Sequence, residues 1–190
     1  LFAMSLQLHD AREFILTEGN ITMLSFEAVV IATIILFASY LVFKIGGELE
    51  DVQKKTDSPP SNPELISLLI SLIVIPVVWL IATSPDKAQV IGTAAVAGII
   101  MGFLVRQFLP TMQPVIIYSM PTAVGGLGYL IALLISPTDG LALMQQSISP
   151  LLYPMPIDYA AGSVMGLSIG LSWAASLAQS KETSQSQVGA

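Results

Sequence analysis

Cysteine is absent from the 190 residues, and His9 is the only histidine. The first absence excludes disulfides, thiolate metal sites and thiol catalysis. The second leaves any serine nucleophile short of its usual base and removes the donors of imidazole-based metal and haem sites. Charge is scarce as well, since Asp, Glu, Lys and Arg make up 11% of the chain, against roughly 25% in soluble domains. Thirteen acids against seven bases give a formal charge of -6. The bases form no cluster, so neither nucleic acid nor an anionic headgroup has an electrostatic footprint to bind. Cofactors, metals and nucleic acid are therefore not expected.

What fills the chain is apolar: 54% of it is hydrophobic and the mean hydropathy is +0.77. Such a composition implies a polytopic integral membrane protein of all-α class. The runs predict a bundle of five transmembrane helices, with spans at about 21–43, 65–83, 88–105, 115–136 and 159–178, forming one domain over 21–178. Before them, Met4, Leu8, Ala11 and Ile15 share one helical face and Asp10, Glu13 and Thr17 the opposite one, which predicts an amphipathic surface helix over 1–20. Acids stand where a secretory signal carries bases, so the first span is expected to stay in the mature protein. The linker 46–64 is polar and carries Ser58-Pro59-Pro60-Ser61, and the polar tail 179–190 is expected to be disordered.

Prolines and glycines punctuate these runs. Asn62-Pro63-Glu64 and Ser84-Pro85-Asp86 read as helix starts, the second so close behind span two that spans two and three form a tight antiparallel hairpin. Pro76 and Pro121 are expected to kink spans two and four, and Gly125-Gly126-Leu127-Gly128 to loosen span four locally. Pro150, Pro154 and Pro156 break the stretch 140–157, which reads as a re-entrant or interfacial element before the last span.

Loop charges orient the bundle. Lys44, Lys54, Lys55, Arg106 and Lys181 fall on one side and only Arg12 and Lys87 on the other. The positive-inside rule then puts the N-terminus outside and the C-terminus in the cytoplasm of a plasma (inner) membrane protein. Trp79, Tyr153 and Tyr159 would form the outer aromatic belt, with Phe43 and Tyr118 the inner one.

Two ladders of small residues, one per helical turn, stand out: Ala94, Gly98 and Gly102 on span three, and Gly162, Gly166, Gly170 and Ala174 on span five. In lipid, helices associate through close backbone approach, which small residues four apart permit. One ladder is expected to serve the internal fold and the other a partner. Aligning Asp86 with Asp158 superposes the two, as if spans two–three and four–five were parallel copies of one hairpin.

Few residues offer chemistry. Gly166-Leu167-Ser168-Ile169-Gly170 matches a nucleophile elbow, but the pattern needs a base and a strand-to-helix turn that a membrane span lacks. Glu27 is the one acid clearly within an apolar run, close to the outer interface. Asp158 stands at an outer helix start with Asp86 and Asp139, and together with Glu27 and the polar Gln145 and Gln146 it forms a candidate ion or solute path. The leading expectation is a non-enzymatic scaffolding or accessory subunit. It would sit in the lipid bilayer and pack as a homo-oligomer, or with other membrane proteins, through its small-residue faces. The alternative is a small channel or transporter for an ion or small solute.

Overall fold

A computed structural model of the chain describes residues 20–47, 62–110, 112–135 and 148–188, with side chains as far as residue 180. The surface helix 1–20, most of the linker 46–64, and Gln145 and Gln146 lie outside the described residues, apart from the few at their edges. What is described is helical, with no strand among the described residues.

Helix α1 runs Ile21–Gly46. The Asn20 side chain accepts from the Met23 N–H at 3.3 Å and so satisfies one of the donors that every helix start leaves over. Gly47, at φ +85°, ends it, donating its N–H to the Phe43 carbonyl. The second apolar segment is two helices, α2 (Pro63–Ser71) and α3 (Val74–Ile81), where one continuous span is expected. Proline chemistry places the break. Pro76 has no N–H for the Leu72 carbonyl one turn earlier, and its ring crowds that carbonyl. The backbone tightens instead into short-range bonds, Ile73 N–H to Ile70 O at 3.1 Å and Ile75 N–H to Leu72 O at 3.2 Å.

A five-residue turn, tied by Gln89 Nε2 to the Ile81 carbonyl at 3.3 Å, leads into α4 (Lys87–Phe108). That helix continues past the expected end at 105, so Arg106 lies within it and donates to the Pro110 carbonyl just beyond. Residues 114–119 form turns, and α5 then runs Met120–Ile135. Pro121 therefore sits in the first turn, where a missing N–H disrupts nothing, and kinks no helix. The glycine run does not loosen α5 either; the helix passes through it unbroken. A 3-10 turn at Pro150–Leu152 precedes α6, Pro156–Val188. This last helix extends ten residues into the segment expected to be disordered, and no glycine or proline intervenes between Gly170 and Gly189 to stop it.

Four segments are long and apolar enough to cross a membrane: Ile21–Gly46, Pro63–Ile81, Lys87–Phe108 and Pro156–Ser180. Helix α5, at 16 residues, is a shorter apolar helix. Contacts fix the relative directions. Gly98 lies against Ser163 and Leu167, and Gly102 against Leu167 and Leu171, so partners on α6 climb with α4 and the two helices run parallel. Gly125 lies against Tyr159 while Tyr118 bonds Ser168, so α5 opposes α6. Helix α1 packs mainly on α5, and antiparallel to it: Gly126 abuts Ser25 and Ala28, whereas Phe43 meets Tyr118. The core between α3, α4, α5 and α6 is filled by Val74, Val78, Ala97, Met101, Tyr129 and Leu167, all fully buried.

Candidate functional site

Both ladders meet each other. A Cβ added at Gly98 would stand 2.6 Å from the Ser163 carbonyl oxygen, and one at Gly102 would stand 2.8 Å from that of Leu167. From the other side, Gly162 faces the backbone of Ile91 and the Cβ of Ala94, Gly166 the backbone of Ala95, and Gly170 that of Ile99. Ala174, one turn on, is buried as well. The expectation that one ladder is left for a partner is thus corrected: both are occupied within the chain. Close approach without side chains between the backbones is what makes α4 and α6 the most intimate pair in the bundle.

One end of this seam is charged. Lys87 Nζ lies 3.1 Å and 3.0 Å from Asp158 Oδ1 and Oδ2, and the Met155 N–H donates to Oδ2 at 2.9 Å. Asp158 is fully buried and the Lys87 side chain 17% exposed. An acid expected to line a path is therefore half of an ion pair that joins the starts of two parallel helices. Glu27 lies on the outward face of α1, in its second turn. Asp86 is exposed and accepts from Ser84 Oγ at 2.7 Å. Asp139 lies outside the described residues; Asp158 is buried whereas Glu27 and Asp86 are exposed, and among the described residues no cluster of His, Cys, Asp or Glu is able to hold a metal.

Of the stretch 140–157, expected to be re-entrant or interfacial, residues 148–157 are described. Ile148, Ser149, Leu151 and Leu152 are all buried, and the Tyr129 hydroxyl donates to the Pro154 carbonyl at 2.6 Å. Tyr159 does not join an outer aromatic belt; its ring fills the space left by Gly125, where a Cβ would come within 2.8 Å of it, and packs edge-on to Tyr129 at 6.0 Å. Trp79, by contrast, faces outward.

Ser168, at the centre of the elbow-like motif, donates to the Val164 carbonyl at 2.9 Å. Its proton thus committed, it accepts from the Tyr118 hydroxyl at 3.2 Å. This is a tie between the turn before α5 and helix α6, without a base. Beside it, a cleft of about 300 Å³ opens between α1 and α6, lined by Ile35, Ala38, Val42, Phe43, Tyr118 and Ser168 among others. Sequence reading missed both the tie and the cleft, for neither has a local pattern. It also missed three buried hydroxyls, on Thr93, Thr122 and Ser163, that find no hydrogen-bond partner among the described residues. Comparison with protein-family models, with curated proteins and with solved structures finds no match to this chain.

Proposed function

We propose that the chain is a non-enzymatic integral membrane subunit that crosses the bilayer five times, N-terminus outside and C-terminus in the cytoplasm, and associates laterally with itself or with other membrane proteins. The observation that supports this reading is the division of its apolar surface. Both small-residue ladders are occupied internally, whereas α1 turns Phe26, Val30, Phe37 and Leu41 outward along one face, beside the cleft it shares with α6. Association would use that outer face and not the ladders.

The lack of native cysteine makes the test clean. Single cysteines at Phe37 and Leu41, cross-linked in native membranes, should give a discrete larger adduct, and a cysteine at the buried Ala97 should not. Adducts absent from every outward α1 position would overturn the lateral assignment. Ser84→Cys and Asn62→Cys, probed with an impermeant maleimide in sealed cells, test the orientation; labelling of the second and not the first would reverse it.

The alternative, a small channel or transporter, draws support from the three buried hydroxyls and from the break in the second span. Discontinuous helices and polar groups at depth are features of solute pathways. Flux in proteoliposomes that persists in Glu27→Gln and Asp158→Asn would take those acids out of the mechanism, and flux abolished by either would favour the transporter.

A further inference from the structure

Ala38 and Ser39 on α1, and Val164 and Ser168 on α6, line the two walls of the outward cleft of about 300 Å³. Along the α4–α6 seam small residues bring backbones together, as Gly166 does with Ala95. Here they leave space. Hydroxyls in the wall are already engaged, since Ser168 donates to the Val164 carbonyl at 2.9 Å and accepts from the Tyr118 hydroxyl at 3.2 Å. Little is left to hold a polar solute, and an apolar gap forfeits contacts on both walls unless something apolar fills it.

The dimensions of the cleft select its occupant. Ile35 and Phe43 mark its extent on α1, eight residues or about 12 Å apart along the helix. Spread over that length, about 300 Å³ gives a mean cross-section of roughly 25 Å². A helix with its side chains is about 10 Å across, or roughly 80 Å² in section, and does not enter. A single hydrocarbon chain does. Depth agrees with width: the cleft runs from near the middle of the 26-residue α1 to its last turn, and about 12 Å is close to half of a hydrocarbon core of about 30 Å. At its interfacial end stand the rings of Phe43 and Tyr118, 6.3 Å apart, where an amphipathic aromatic is favoured.

We propose that this cleft holds one acyl chain of a membrane phospholipid, in the leaflet on the side where α1 ends. The inference rests on the reading of the chain as membrane-spanning and not on its having a lateral partner. The methylenes pack on Ala38, Val42 and Val164, and the ester end lies toward Phe43 and Tyr118. A chain so held completes the surface between α1 and α6, leaving a lateral partner to meet Phe37 and Leu41 beside it.

A phospholipid carrying a photoreactive diazirine on one acyl chain tests this, with the full chain reconstituted in phosphatidylcholine vesicles and the adducts mapped by mass spectrometry. Ala38→Phe fills the cleft from α1 and Val164→Phe fills it from α6, so a variant that fails to fold leaves the other. In either variant, adducts at Val42 and Ser168 are expected to fall severalfold, while those at the outward Ile34 and Phe37 stay as they were. Adducts that fall equally at all of these positions, or at none, overturn the site. In the unaltered chain, adducts at Ile34 and Phe37 alone remove the site and keep the membrane-spanning reading, whereas no adduct anywhere removes both. If Ala38→Cys cross-links to a second polypeptide in native membranes as readily as Phe37→Cys, a partner protein occupies the cleft and the proposal is overturned.

Discussion

At the scale of single residues, the same substitution has opposite signs within one pair of helices, α4 and α6. Gly166 has the backbone of Ala95 where its Cβ would go, while Gly92, on the outward side of α4, has nothing within 4 Å. Gly166→Ala is therefore expected to destabilise the fold by about 1–3 kcal/mol through overpacking, because a rigid backbone cannot yield as a side chain would. Gly92→Ala should stabilise it by about 0.5–1 kcal/mol, by removing glycine's excess freedom from a helix interior. Denaturation in mixed detergent measures both, and an unchanged Gly166→Ala would mean that the seam opens more readily than its geometry implies. The ion pair is asymmetric in the same way. Lys87→Met leaves a carboxylate fully buried without its cation, and should cost about 3 kcal/mol. Asp158→Asn leaves an ammonium that is 17% exposed and able to reach outward, and should cost roughly 1 kcal/mol. Equal losses would argue that the carboxylate finds another cation.

At the scale of elements, the break between α2 and α3 is assigned to Pro76, so Pro76→Ala should let one helix run from Pro63 to Ile81. Spin labels on cysteines at Leu65 and Leu80 would report a longer separation by pulsed dipolar spectroscopy, and an unchanged distance would place the cause in the neighbours of Leu72. The elements themselves were largely legible in the sequence, because an apolar run bounded by Asn62-Pro63 or Ser84-Pro85 admits little but a helix. What each proline or glycine does was less legible. Pro76 interrupts and Pro121 does not, and the difference is only where the helix starts. The glycines of α5 looked like a weak point but serve as sockets, Gly125 for the ring of Tyr159 and Gly126 for Ala28. Small residues reveal that something comes close without revealing what. For the same reason both ladders could be read from the sequence, but not that they face each other. The Lys87–Asp158 pair spans 71 positions and follows from the register of two helices, a quantity no local pattern encodes.

At the scale of the whole molecule, burial is unevenly shared, and the order of opening should follow it. Of the most apolar stretch of each helix, 56% is buried in α4 and 50% in α6, but only 17% in α1. The α4–α6 pair is held by backbone contact along its length and by an ion pair at its start, whereas α1 rests on one side of α5 and touches α6 across an open cleft. Local opening free energies track such contact density. Amide exchange in mild detergent should therefore release the C-terminal half of α1, from Leu36 to Ile45, well before the seam residues Ala94–Val105 and Gly162–Leu171. If the subunit reading is right, a partner that covers α1 closes this gap. In the complex, or in native membranes where the partner is present, protection of α1 should rise toward that of α4 while the seam stays unchanged. Protection that rises across the seam and not on α1 would instead put the partner against the α4–α6 pair, on the side of Ile99, Phe103 and Trp173, where a second outward cleft of about 310 Å³ lies.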